Sequence, residues 1–349
     1  MDSDITEITK VDDQASGEGW QLINGDCVET LMGFPADSIG YSIYSLPFSS
    51  LFVYSNSDRD MGNSRNDDEF FGHYGFLVDQ LIRVMKPGRL VSVHCMNLPS
   101  MKQNDGVIGI RDFRGDIIRC HTERGFIYHS EVTIWKDPMT AMQRTKALGL
   151  LHKQLVKDSS MSRQGIADYI VNFIKPTHDG EFTTASGPRD VTSILLELFA
   201  SVMPSSLVTF RKPGTNGEPV HGRLEYFAGK QDQFQHRGDL SIDIWQQYAS
   251  PIWMDINQSD TLQCRQARDD KDERHLCPLQ LDVIERCLQL WTMPGDVVLS
   301  PFAGIGSEIY QAVILGRLGI GIELKPSYYR WAIEYMHQAE EVRKTRMLF

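Results

Sequence analysis

Pro301-Phe302-Ala303-Gly304-Ile305-Gly306-Ser307-Glu308 is the stretch that decides the fold. It follows an apolar run, Asp296-Val-Val-Leu-Ser300, and precedes a helix-like stretch from Ile309 to Leu315, so its glycines fall where a strand turns tightly into a helix. Such a turn aims backbone N–H groups at a nucleotide-like ligand. A second apolar run, Leu318-Gly-Ile-Gly-Ile322, ends at Glu323, where a carboxylate at a strand's carboxyl end can accept hydrogen bonds from two ribose hydroxyls. Alone, the pattern also fits an ordinary tight turn: Gly304 and Gly306 supply two of the three glycines of the dinucleotide fingerprint, and the acidic residue follows closely.

Far upstream, Ser38-Ile-Gly-Tyr-Ser-Ile-Tyr44 leads into Ser45-Leu46-Pro47-Phe48, after Gln21-Leu-Ile-Asn-Gly25-Asp26-Cys27 and a spacer. A strand that ends in a small polar residue, a proline and an aromatic is unusual. Its plain reading is a loop with a buried aromatic, but its co-occurrence with the late segment favours a shared site.

On these segments the chain resembles the S-adenosylmethionine-dependent DNA amino-methyltransferases, whose motif reads Asp, Asn or Ser, then Pro-Pro, then Tyr, Phe or Trp. The resemblance covers most of the chain. Its order, with the Ser45 segment first, the Gly304 segment last and a long insert between, is similar to the permuted beta group, phage and prophage enzymes among them. Further marks are Gly25-Asp26-Cys27, the Arg83-Val-Met-Lys-Pro87-Gly88 turn, and His275-Leu-Cys-Pro278-Leu-Gln280 before Pro294-Gly295-Asp296. One departure stands out: the family's first proline is Leu46, which keeps the carbonyl but frees φ.

The resemblance implies an α/β, Rossmann-like methyltransferase fold: a mixed, mostly parallel sheet with helices on both faces and an inserted target-recognition region. It implies S-adenosylmethionine as cofactor, held by Asp26, Cys27, His275, Pro278, Phe302, Ala303, Gly304, Gly306 and Glu323, and Ser45, Leu46, Pro47 and Phe48 as catalytic residues. Asp26 also reads as a cap for the helix at Val28, and Phe302 as a core aromatic.

The chemistry requires such residue types. An exocyclic amino nitrogen on cytosine or adenine is a poor nucleophile because its lone pair is delocalised into the ring. The Ser45 hydroxyl and the Leu46 carbonyl would accept its two hydrogens and favour a pyramidal nitrogen. Phe48 would stack on the base and Pro47 would stiffen the turn. A paired base cannot offer this nitrogen, so it must be flipped out, at a few kcal/mol, which stacking worth about 1–3 kcal/mol partly offsets. Ser in the first position is associated with cytosine N4 in the family and Asp with adenine N6, so the reading leans to cytosine N4, with adenine N6 as the alternative. A protein disabled by Leu46 that binds DNA or the cofactor is a second alternative, and a methyltransferase of RNA or a small molecule a third.

Composition fits an intracellular enzyme: 349 residues, 41% hydrophobic and 23% charged. No run approaches the roughly 18 apolar residues of a membrane span, and the first twenty residues are acidic rather than signal-like. A cytoplasmic protein with no membrane association is expected. The six cysteines lack CxxC spacing and read as buried thiols, and no metal site is expected. A net charge of −11 argues against a generic nucleic-acid binder. Yet between Trp135 and Gly165 six basic residues, including Lys136, Arg144, Lys146, Lys153 and Arg163, face two acidic ones, a local excess of four positive charges that could track the phosphates of double-stranded DNA.

The chain then divides into a disordered acidic tail (1–19), a catalytic half (20–135), a target-recognition insert (136–248) and a cofactor-binding half (249–349). Strands are expected at 20–24, 39–44, 89–94 and around 127–134. Helices are expected at 28–33, 70–85 and 116–124, with an amphipathic helix at 190–202 and another after His275. The polar loop 52–68 follows the Ser45 motif, where it could close over a base. Gln143, Arg144, Arg163 and Gln164 are side-chain types that read base edges. Restriction–modification is the setting the resemblance implies, and its members admit a homodimer through the face beside the cofactor.

Overall fold

The computed structural model describes residues 11–47, 59–100, 106, 109–139, 152–157, 159, 166–176, 247–267 and 278–347. Helix α1 (Cys27–Met32) starts where the Asp26 carboxylate accepts the Glu29 N–H. Helix α2 (Asp67–Val84) starts three residues before the expected Phe70. There Asn66 caps the Glu69 N–H while the Glu69 carboxylate accepts the Arg65 N–H, a reciprocal cap. Its buried residues Phe70, Tyr74, Leu77, Leu81 and Val84 recur at helical spacing. The remaining helices are α3 (Phe113–Glu123), α4 (His152–Lys157), α5 (Leu281–Trp291), α6 (Ser307–Ile314) and α7 (Pro326–Met347).

The strands are β1 (Val11–Gly17), β2 (Trp20–Gly25), β3 (Tyr41–Ser45), β4 (Leu90–Met96), β5 (Leu98–Ser100), β6 (Gly109–Arg111), β7 (Ile127–Ile134), β8 (Asp168–Ile174), β9 (Ile252–Trp253), β10 (Val297–Ser300) and β11 (Leu318–Glu323). Nine form one sheet in the order β1-β2-β11-β10-β3-β4-β8-β7-β9, and β5 and β6 make a separate pair. β2, β11, β10, β3 and β4 run parallel, β1 and β8 run antiparallel to their parallel neighbours β2 and β4, and β9 is parallel to β7. This is the expected mixed, mostly parallel sheet.

Both faces are covered, as a parallel sheet requires. Side chains of α2 and α3, such as Phe70, Leu77, Phe113 and Ile117, pack on Tyr44, Val93, Cys95 and Phe173. The α5 residues Val283, Ile284, Cys287 and Leu288 cover Tyr41, Ile43, Ile134 and Ile170 on the other face, where α6 and α7 cover Trp20 and Leu22.

Two boundaries are corrected. The tail expected through residue 19 is a strand from Val11 to Gly17 that pairs with β2; an edge strand gains its stability from backbone bonds and tolerates polar side chains, so its sequence looks like a tail. The insert expected as one block from 136 to 248 contains β8, whose run Tyr169-Ile-Val-Asn-Phe-Ile174 sits inside the sheet between β4 and β7. Helix α7 lacks any counterpart in the sequence reading. Residues 1–10 and the helix expected at 190–202 lie outside the described residues.

From β10 the chain crosses to β11, and from β3 it crosses to β4 on the opposite side. The loops leaving the carboxyl ends of β10 and β3 therefore diverge, and a crevice opens between them at the topological switch point.

Candidate active site

That crevice is an open cleft with two walls. One wall comes from Pro301 to Ile305, Ser307, Glu308, Glu323, Leu324 and Lys325; the other includes Gly25, Asp26, Cys27, Ser45, Leu46 and Pro47, with Arg59 to Met61 and Pro278 at its rim.

The glycine turn explains the first wall. Gly304 and Gly306 adopt φ of +54° and +89°, left-handed values that strain a side chain. A Cβ on Gly304 would meet nothing within 4 Å, so that backbone is open, whereas one on Gly306 would press on Met336 and Ala332 of α7. Gly304 thus leaves room for a ligand and Gly306 lets the helices close. The Gly306 cap contributes no side-chain bond to α6, so the helix's first N–H groups keep their capacity for one.

Glu323 ends β11 and accepts from backbone on both oxygens, Gly304 N–H at 2.7 Å and Lys325 N–H at 2.8 Å. Each oxygen retains a lone pair for a hydroxyl donor. Burial pushes its carboxyl up to about 7, and burial likewise pushes Glu308 up to about 8. The Ser307 hydroxyl and the Gln280 side-chain amide oxygen are buried without a hydrogen bond among the described residues. Buried polar atoms left unsatisfied are costly, and a polar ligand beside the Ser307 end of the cleft would relieve that cost.

On the second wall Asp26 serves both of its readings: it caps α1 and lines the cleft. Cys27 is buried, with its thiol pushed up by burial. Phe302 lines the cleft and packs on Tyr44 with ring centroids 5.7 Å apart.

Ser45 is the last residue of β3, and its parallel register with β4 places it opposite His94. The Ser45 Oγ lies 2.9 Å from His94 Nδ1. His94 Nε2 is 3.3 Å from Asp168 Oδ2 on β8, within ion-pair reach but off the line of a full hydrogen bond. Lys136 Nζ approaches the other Asp168 oxygen at 2.5 Å. Burial raises the Asp168 carboxyl, but Lys136 and His94 outweigh it and hold it below the usual carboxylate range. The Leu46 N–H donates to the His94 carbonyl at 3.3 Å, a bond a proline could not make.

The structure thus gathers Asp26, Cys27, Ser45, Leu46, Pro47, Pro278, Phe302, Ala303, Gly304 and Glu323 around one cleft, with Gly306 just behind it. Phe48, His275, Arg144, Lys146 and Arg163 lie outside the described residues. Lys153 is exposed on α4, while Lys136 is engaged by Asp168. The sequence reading missed His94, Asp168, Asp60, Glu308 and Lys325.

A family model described as DNA methylase, of the N6/N4 type, matches residues 43–334, more than half of the chain. Over 113 residues the chain is 28% identical to the type II methyltransferase M.BglII of Bacillus subtilis; the match takes in 32% of this chain and 29% of that protein. Among solved structures, a protein assigned as a DNA modification methylase from Thermus thermophilus, in complex with S-adenosylmethionine, shares 18% identity over 90% of this chain and 92% of its own, with a TM-score of 0.56. The cytosine-N4-specific PvuII DNA methyltransferase shares 16% identity over 94% and 92% of the two chains, with a TM-score of 0.50. At these identities the two structures speak for the fold.

Proposed function

The chain belongs to the N6/N4 DNA methylase family, and from that premise we propose that it transfers a methyl group from S-adenosylmethionine to the exocyclic amino group of a base in DNA. The observation that carries the proposal is the meeting of Ser45 and the Gly304 turn, more than 250 residues apart in sequence, across one cleft.

The cleft fits the cofactor in its donor set. Glu323 offers lone pairs to ribose hydroxyls, the uncapped start of α6 offers N–H groups beside the open Gly304 turn, and Ser307 offers a buried hydroxyl. Bound there, S-adenosylmethionine supplies an electrophilic methyl group. The Ser45 hydroxyl and the Leu46 carbonyl accept the hydrogens of the target amine and turn its lone pair out of the ring. Phe48 follows directly in sequence and takes the stacking role.

Reaching the amine requires a base flipped out of the duplex. Ser45, with no carboxylate in its place, favours cytosine N4 over adenine N6. Lys153 with Arg144, Lys146 and Arg163 are the candidates for phosphate contact; Lys136 joins them only by leaving Asp168. Pairing into a homodimer and a cytoplasmic place of work are part of the same proposal. Among the described residues no helix is long and apolar enough to cross a membrane.

Incubation with methyl-labelled S-adenosylmethionine and mixed-sequence DNA, followed by digestion and mass analysis of the nucleosides, tests this. N4-methylcytosine is expected. N6-methyladenine would move the base assignment, and label confined to RNA or absent from nucleic acid would overturn the DNA reading.

A further inference from the structure

Ser45 touches the cleft with its hydroxyl, and three strands place polar groups in line behind it. The parallel register of β3 and β4 sets Ser45 opposite His94. The antiparallel register of β4 and β8 sets His94 opposite Ile170, which brings Asp168, two residues along on the same face, diagonally beside the imidazole. Lys136 completes the line behind Asp168. His94 and Asp168 are 7% and 4% exposed and do not line the cleft, so whatever they do for the reaction passes through Ser45. Burying a histidine and a carboxylate side by side, with the part-exposed Lys136 ammonium behind them, is costly where apolar side chains would pack as well. The row requires a reason beyond packing.

We propose that His94 and Asp168 act as a proton relay behind Ser45, taking up the proton that the amine loses as it is methylated. The inference rests on the amino-methylation reading and deepens it. A carboxylate oxygen 3.3 Å from Nε2 favours a proton on that nitrogen, leaving Nδ1 as an acceptor for the Ser45 O–H. The Ser45 oxygen then turns its lone pairs to the amine.

When the amine nitrogen bonds to the methyl carbon, the electron pair of the broken S–C bond stays on sulfur and the nitrogen becomes cationic. Its N–H bond breaks, the electron pair remains on nitrogen and the proton passes to Ser45 Oγ. The Ser45 hydroxyl proton passes to His94 Nδ1. Ser45 is regenerated, and the imidazolium faces the Asp168 carboxylate until it loses its proton to solvent. Asp168 stays ionised throughout, held so by Lys136.

The groups facing the imidazole are Ser45 from β3, Asp168 from β8 and, through it, Lys136. The Arg114–Glu131 pair belongs to the opposite face of the sheet by strand alternation, and the Arg286–Asp255 pair lies against Trp253 at the far edge. A protonated His94 cannot accept a proton, so transfer should fall on the acid side.

The test is single-turnover methyl transfer to DNA by the full chain across pH, with cofactor affinity measured by calorimetry and the His94 tautomer by nitrogen NMR. In His94→Gln the rate should drop about 100-fold or more, the acid limb should vanish, added imidazole should restore part of the rate, and cofactor affinity should hold. In the unmodified protein His94 should carry its proton on Nε2, and Asp168→Asn should disturb that tautomer. If His94→Gln loses cofactor binding through misfolding, Asp168→Asn carries the same kinetic test. An intact rate in either folded variant, or an acid limb that persists in folded His94→Gln, overturns the relay alone. A native protein that transfers no label at any pH overturns the methyl-transfer reading, and the relay with it.

Discussion

On the wall of the cleft proposed for the cofactor, the cofactor wall, the polar groups are largely backbone: the Gly304 turn, the uncapped start of α6, and a Glu323 carboxylate held by two N–H donors. On the wall proposed for the base, the base wall, they are side chains: Ser45 at the cleft, with His94, Asp168 and Lys136, from two further strands and the segment after β7, in a row behind it. Backbone donors are fixed by the fold and suit a ligand that is always the same. A row of side chains can shift protons, which suits a wall where bonds change. The two walls should therefore fail in different ways when altered.

The largest effect is expected on the base wall. Ser45→Ala should lower methyl transfer about 100-fold or more, with cofactor affinity unchanged by calorimetry. On the cofactor wall, Glu323→Gln weakens hydrogen bonds to a charged acceptor, worth about 1.5–3 kcal/mol. Cofactor affinity should then fall roughly 10- to 100-fold. An equal loss of affinity in both variants would break the comparison.

Stability sharpens it further. Gly306→Ala would force a side chain into φ of +89° with Met336 Cε 3.0 Å from the new Cβ, and unfolding should become easier by roughly 1–3 kcal/mol, read from denaturant melts. Leu46→Pro removes the N–H that donates to the His94 carbonyl, with an expected loss of about 1 kcal/mol and no gain in transfer. A gain would revive the reading in which Leu46 disables the protein. The pH-dependent effect concerns Glu308. Because burial raises its carboxyl from 4.5 to about 8, the folded state binds protons that the unfolded state releases, and native stability declines as pH rises through that interval. Glu308→Gln should remove that decline, so its advantage in melting temperature over the native protein should widen toward alkaline pH.

The cofactor wall was the more legible in the sequence, and for a physical reason. Left-handed backbone at a strand-to-helix turn reduces to glycine, so Gly304 and Gly306 announce it, and an acidic residue closing the next strand announces Glu323. The base wall showed only its front. Ser45 is marked by the proline and aromatic after it, but His94 lies 49 residues on, and Asp168 falls within what composition marked as an insert. Only strand register joins them, and register is written in pairings that one sequence does not display. Helix α7 carries its buried face, Tyr328, Ala332, Tyr335, Met336 and Ala339, among Glu, Arg and Lys residues that mask the period, and β1 is polar because its bonds are backbone alone.

The most direct test of the division between the walls is a pair of calorimetric titrations with S-adenosylmethionine, one on Ser45→Ala and one on Glu323→Gln, each beside its methyl-transfer rate. Native affinity without transfer in the first, and weakened affinity in the second, is the predicted result. Native affinity in Glu323→Gln, or cofactor binding lost in a folded Ser45→Ala protein, would contradict it.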